Sequence, residues 1–354
     1  MRTWAIAALL RVKDSLWQIM QLVLASFLSY LIAHQLLGHP VPLLAVTVTI
    51  SSLGFTRDAR PSRVASTALA MVTGVAVSEA MLFLFGSGGW QLSLAIGVAL
   101  LLARLFSKNP AFALTVAIQA VLVQLLTAPT GGDYARVVDG LVGGLSALLF
   151  TALLPRNPIR LARRDAAALF GLMKSTLADL RQVALTSDPE VADQVLARIR
   201  GSQPMVDNWQ SSLDSAQAIS KVSPFYRWAQ KEVADQKLLL VGMDLATRNL
   251  RVISRRVDFL LQEGKSLERL GPLFSKILIS VDLLEQALDD FSMRAKAKKY
   301  LEKLIATLDP KGFEQQLALG EVVLLMQIRP LVIDLAVAAG TDASKARRLL
   351  PKVD

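Results

Sequence analysis

Four ionisable residues sit where ionisable residues are rare. His34, Glu79, Arg136 and Asp139 each fall within or at the edge of a strongly apolar run. Such groups are costly in hydrocarbon and normally face a partner or a water-filled path, so they mark candidate ion or solute routes. A carboxylate held there can titrate and couple proton entry to the movement of another solute. Arg136 and Asp139 are spaced i,i+3, which puts them on one face of a helix. A second group is basic and gathers at chain reversals: Arg57, Arg60, Arg63, Arg104 and Lys108. Pro61 and the pair Asn109-Pro110 open helices beside them. Exposed helix amides together with guanidinium groups capture carboxylate or phosphate. Gln119 and Gln124 offer amides to a solute or to a neighbouring helix. A third group, Arg248, Asn249, Arg251, Arg255 and Arg256, lies in one charged helical run and suits acidic helices, lipid headgroups or an incoming anion.

The elements that carry these groups change character at Pro155. Before it, six apolar runs are predicted as membrane spans, at 16–37, 41–55, 63–85, 90–106, 110–128 and 134–154. A hydrocarbon core of ~30 Å needs roughly 20 helical residues, so the second run is short for a full crossing. Arg2, Arg11 and Lys13 precede the first span, and Arg57, Arg60 and Arg63 separate the second from the third. Arg104 and Lys108 separate the fourth from the fifth, and Arg156, Arg160, Arg163 and Arg164 follow the sixth. The alternate connections, 38–40, 86–89 and 128–133, carry no Lys or Arg. This alternation predicts a multi-pass protein of the cytoplasmic membrane with both termini in the cytoplasm. Glu79 then lies about 24 Å from the inner end of its span, at about 1.5 Å per residue. His34, Arg136 and Asp139 fall at similar depth, in the outer third of the bundle.

Small residues support close packing: Ser66, Ala70, Gly74 and Ser78 stripe the third span, and Gly140 with Gly144 forms a GxxxG on the sixth. Residues 1–14 are predicted as an amphipathic segment along the inner surface, 15–155 as the membrane domain, and 156–354 as a cytoplasmic helical domain. The fold class is all-α: a six-helix membrane bundle followed by a helical bundle. In the second part, Ser187-Asp188-Pro189-Glu190 predicts a capped helix start, and a long helix is expected from Pro224 to Gly264. Asp309-Pro310 predicts another that runs towards Gly340. The apolar stretch 317–339 contains Glu321, Arg329, Pro330 and Asp334, which argue for a buried helix rather than a seventh span.

Several chemistries find no support. There is no Cys, hence no disulfide or thiolate metal site. No Gly-x-x-x-x-Gly-Lys loop or Gly-x-Ser-x-Gly elbow occurs, and nothing resembles a cleavable signal peptide. His34 and His39 are five apart, do not share a helical face and have no carboxylate near them in sequence, so no metal site is expected. The net charge of +10 sits beside the spans, where cytoplasmic retention explains it better than nucleic acid. No enzyme activity and no cofactor are expected.

The sixth span reads Arg136-Val137-Val138-Asp139-Gly140-Leu141-Val142-Gly143-Gly144 and closes with Leu154-Pro155-Arg156-Asn157-Pro158. It resembles the R-x-x-D-x-x-x-G pattern of the FUSC superfamily, the fusaric acid resistance and aromatic acid exporter proteins, in its actinobacterial form. Arg248-Asn249-Leu250-Arg251-Val252 with Arg255-Arg256 is similar to that family's cytoplasmic part. The third span departs from the family pattern, with Gly74 alone where paired glycines are expected. The resemblance implies proton-motive-force-driven export of aromatic carboxylates or other amphiphilic organic anions, and importance for Arg136 and Asp139. The leading expectation is therefore a secondary exporter. Arg57, Arg60, Arg63, Arg104 and Lys108 gather the anion, and Glu79 or Asp139 titrates. Two alternatives stand beside it. One is a passive anion channel, similar to the plant malate-type channels that share this plan and work as dimers. The other is a non-transporting scaffold for cell-envelope enzymes or lipids. Expected partners are membrane lipids, a small organic anion and a second copy of the chain, with no nucleic acid.

Overall fold

The computed structural model describes residues 2–54, 60–126, 134–154, 157–290, 292–313 and 315–352. Every regular element among them is helical. The chain divides into two compact units: Met1–Pro158 with Asp214–Trp228, and Ile159–Leu213 with Ala229–Asp354.

The first unit is built from α1 (Arg2–Leu31), α2 (Leu43–Leu53), α3 (Pro61–Phe85), α4 (Gly89–Phe106), α5 (Pro110–Leu125) and α6 (Ala135–Leu153). Four helical stretches are long and apolar enough to cross a membrane: Ser15–Leu36, Pro61–Phe85, Gly89–Phe106 and Ala135–Leu153. The other two expected spans, Leu43–Leu53 and Pro110–Leu125, are apolar but shorter. Helix α1 runs without a break from the N-terminal segment into the first span, then loosens into a π-helical turn over Ile32–Leu36. Pro at the first position opens α3 and α5, where its missing N–H leaves no orphan donor, and the Asn109 side chain caps α5. Gly86 ends α3 at φ +72°.

Small side chains let the backbones of this unit approach. Ala70, Ala99, Ala103, Ala113, Val116 and Ala120 form the seam where α3, α4 and α5 meet. Gly74 lies against the Val116 carbonyl and Gly143 against that of Ala45, each so near that a Cβ would come within 2.4 Å. The outward faces stay apolar: Leu101, Leu105, Leu114, Ile118, Leu125 and Leu145 are all exposed. Apolar surface outside and small-residue seams inside is the distribution that hydrocarbon favours.

The second unit contains α7 (Pro158–Thr186), α8 (Pro189–Arg200), the first part of α9 (Gln203–Val222), α10 (Ala229–Gln262), α11 (Gly271–Gln286), α12 (Ser292–Ala306), α13 (Leu319–Ala338) and α14 (Ala343–Arg348). Its core is Phe170, Met173, Trp209, Met243 and Phe274, all fully buried. Gly264, at φ +72°, ends α10, and Lys265 N–H donates back to the Leu260 carbonyl.

Three local expectations are corrected. The α8 cap is Asp188, whose Oδ1 accepts from the Glu190 and Val191 amides. Ser187 instead ends α7 in the left-handed region. Pro310 opens only a short 3-10 turn, Pro310–Gly312, and the next helix begins at Leu319. There the Glu321 carboxylate accepts from the Ala318 amide, satisfying a donor that the helix start leaves unpaired. The long helix expected from Pro224 begins at Ala229, after a 3-10 turn at Pro224–Tyr226. Helix α13 is a buried helix of the second unit. Glu321 pairs with Arg269 at 3.0 Å and Asn249 donates to Asp334 at 2.5 Å.

Candidate functional site

The polar residues of the first unit collect where α3, α6 and the α1–α2 connection approach one another. Asp139, on the buried face of α6, meets His39 Nδ1 at 2.6 Å through Oδ1. The carboxyl side chain is 7 % exposed and the imidazole 13 %. Gly38, at φ +71°, turns the chain so that His39 is presented, and the His39 amide donates to the Ala33 carbonyl at 3.0 Å. The His39 carbonyl in turn meets His34 Nδ1 at 2.9 Å. A carbonyl only accepts, so Nδ1 of His34 carries its proton. The His34 ring stacks on Tyr30 with centroids 5.2 Å apart.

One turn earlier on α6, Arg136 faces a different neighbour. Its Nη1 lies 3.8 Å from Glu79 Oε2 on α3, and Nη2 donates to the Leu126 carbonyl at 3.4 Å. The i,i+3 spacing does put Arg136 and Asp139 on one face, yet one turns to α3 and the other to the α1–α2 connection. Ser78 Oγ donates to the Ala120 carbonyl at 2.8 Å, and Gln124 Nε2 approaches the Ser78 carbonyl at 3.5 Å, tying α3 to α5. Beside these groups is an open cavity of about 710 Å³. Glu79, Arg136, Gln124, Tyr134 and Ser87 supply its polar lining, and Phe83 and Val137 are among its apolar walls. The arrangement combines a fixed cation, a carboxylate and apolar walls, which is what an amphiphilic organic ion requires.

The other predicted residues are placed as follows. Gln119 is buried, its Cβ against Gly74, and its Nε2 has no hydrogen-bond partner among the described residues. Arg57 lies outside the described residues. Arg63 Nη2 donates to the carbonyls of Ser52 and Leu53 at 3.3 and 2.9 Å, closing the C-terminal end of α2. Arg104 Nη1 donates to the Lys108 carbonyl at 2.8 Å. Arg60 and Lys108 are exposed. In the second unit, Arg248 pairs with Asp244 one turn earlier at 2.6 Å, Asn249 holds Asp334, and Arg251 reaches Gln203 at 3.4 Å. Arg255 is exposed, and Arg256 lies over the Phe259 ring, 5.8 Å from its centroid. In this run Asn249 and Arg251 tie α10 to α13 and α9, while Arg248 and Arg256 are engaged along α10 itself.

Sequence reasoning missed His39, which was set aside with His34 as a metal candidate. The available signal was position: His39 and Asp139 both stand at span ends on the side poor in Lys and Arg. Tyr134 was missed too, at the cavity rim and in the left-handed region at φ 68°.

Residues 5–150 match the family described as fusaric acid resistance protein-like. A protein of Corynebacterium glutamicum, itself uncharacterized, is 26% identical over 97% of this chain and 90% of its own length. A protein of Mycobacterium tuberculosis, named provisionally as an arylamide transporter, is 28% identical over 188 residues, covering 51% of this chain and 52% of its own. A Mycobacterium bovis protein of the same name matches to the same extent. The matched residues take in α2 to α5 and most of α1 and α6, so the chain is a membrane protein whose apolar helical part is similar to the fusaric acid resistance protein-like family.

Proposed function

We propose that the protein is a secondary transporter that exports amphiphilic aromatic anions and is driven by the proton-motive force. The family and the mycobacterial relatives support a membrane transporter as the class. The observation that carries the finer reading is the cavity of about 710 Å³, where Arg136, Glu79 and Gln124 adjoin apolar walls. Arg136 offers a carboxylate its counter-charge, and Phe83 and Val137 suit an aromatic body. A solute with an amide, as in the name of the mycobacterial relatives, would find an acceptor in Gln124 Oε1, which has no hydrogen-bond partner among the described residues. In this reading six helices span, both termini and the second unit are cytoplasmic, and the protein works as a dimer. Arg57, Arg60 and Lys108 attract the anion, while Arg63 and Arg104 hold the inner helix ends. Glu79 and Asp139 are the carboxylates available for coupling.

Flux in proteoliposomes tests it. Vesicles loaded with 4-hydroxybenzoate should show uphill movement under an imposed proton gradient, and an uncoupler should abolish it. Glu79→Gln should remove the gradient dependence while the protein still inserts and stays folded. Movement down the anion gradient alone would replace the exporter with an anion channel, and no movement would remove transport of this solute class.

A further inference from the structure

The charge balance of the polar layer does not close on Glu79 and Arg136. Those two offset each other across 3.8 Å, and Asp139 is left as an additional buried carboxyl one turn away. Helix α6 contributes Arg136, helix α3 contributes Glu79, and the π-helical turn contributes His34, held by a backbone carbonyl. Helices α2 and α5 contain no ionisable residue. Among the described residues, the group in contact with Asp139 that can gain a positive charge is His39.

Building on the proton-coupled reading, we propose that His39 and Asp139 together form the transporter's proton-binding site, with His39 Nε2 as the atom that takes up the proton. The 2.6 Å contact holds one proton between Nδ1 and Oδ1. A second proton, delivered by water, then bonds to Nε2 and makes an imidazolium–carboxylate pair, and release reverses that one bond. Nε2 has no hydrogen-bond partner among the described residues. Histidine is the side chain suited to taking up and releasing a proton at one ring nitrogen.

Two features tie the site to the backbone. His39 follows a π-helical turn, a local winding that leaves α1 less tightly closed at Ile32–Leu36. Asp139 lies on α6 one turn from Arg136, which lines the cavity. Protonation at His39 therefore changes the charge next to the helix that presents the cation to the solute. Glu79, 3.8 Å from Arg136, keeps that cation in position beside the site, so its loss also uncouples flux.

The chain has two histidines, which makes the test direct. In the full-length His34→Gln protein, labelled with 15N-histidine and held in lipid nanodiscs, the one imidazole signal belongs to His39. Its nitrogen shifts should respond to pH, and Asp139→Asn should change that response. In proteoliposomes, His39→Gln should lose uphill flux while keeping downhill flux. A signal that does not titrate, or one that titrates unchanged in Asp139→Asn, overturns the site. So does full proton-driven flux in His39→Gln. If Asp139→Asn does not insert, the His39 titration and the His39→Gln flux decide alone. A parent protein without uphill flux whose His39 still titrates in dependence on Asp139 refutes the exporter reading and supports the proton site.

Discussion

Gly143→Ala should damage the first unit even though alanine is the better helix former. On propensity alone the exchange favours a helix by up to about 1 kcal/mol. In the structure, an added Cβ would stand 2.4 Å from the Ala45 carbonyl oxygen and 3.0 Å from Val48 Cβ. Backbone cannot rotate away as a side chain can, so α2 and α6 must separate by about 1 Å to restore an ordinary contact, at a cost of roughly 1–3 kcal/mol. The same movement stretches the bond from Thr49 Oγ1 to the Gly143 carbonyl, now 3.1 Å, which contributes about 1 kcal/mol. The net expectation is a loss of about 1–3 kcal/mol, with the propensity gain offsetting the weakened hydrogen bond. Gly143 lies one turn beyond Asp139 on the same face, so the displacement also opens the His39–Asp139 contact. Proton-driven flux should fall on the order of tenfold or more. Gly97→Ala is the matched control, because nothing lies within 4 Å of its Cβ position. Thermal unfolding in detergent, followed by size-exclusion recovery of the protein, should show Gly143→Ala below the parent and Gly97→Ala at or above it. Equal shifts for the two variants, or a Gly143→Ala protein as stable as the parent, would refute the packing argument.

Two further outcomes concern the second unit. Burial pushes the Asp334 carboxyl up from its ordinary value, and the Asn249 hydrogen bond and the Arg347 charge only partly offset this. A carboxyl raised in the fold contributes stability that is complete below its unfolded value and lost as pH rises through the folded one. Asp334→Asn should therefore unfold at a higher temperature than the parent at pH 7, with the gap closing as pH falls towards about 4; a gap that stays constant with pH would exclude this cause. Asp188→Ala removes the acceptor for the Glu190 and Val191 amides and should cost about 1 kcal/mol in chemical denaturation.

The helices were legible where the rule that makes them is local. A span must be apolar over its own length, so α1, α3, α4 and α6 could be read from their composition. Pro61 and Pro110 fix the starts of α3 and α5 because proline suits a first helical turn, where its missing N–H leaves no bond unmade. Ser187-Asp188-Pro189 shows the limit. Adjacent residues that can all accept from an amide predict that a cap is present, but not which one the backbone selects. Pro310 shows another limit, since a good first residue does not supply the packing that lets a helix continue. The polar layer was legible in depth but not in partnership. Distance along each span gives the level at which Glu79, Arg136 and Asp139 lie. Which side chain meets which depends on the rotation of α3 and α6 about their axes, and that rotation is set by Gly74 against Val116 and Gly143 against Ala45. His39 and Asp139 are 100 residues apart, and no periodicity in either segment refers to the other. The basic residues are legible only in part for a related reason. Their placement satisfies the charge rule for topology whether or not they bind an anion, and Arg63 uses its guanidinium to close the end of α2. A charge read from sequence thus gives the side of the membrane on which it stays, while its chemistry follows from the carbonyls and carboxylates that the packed helices bring within reach.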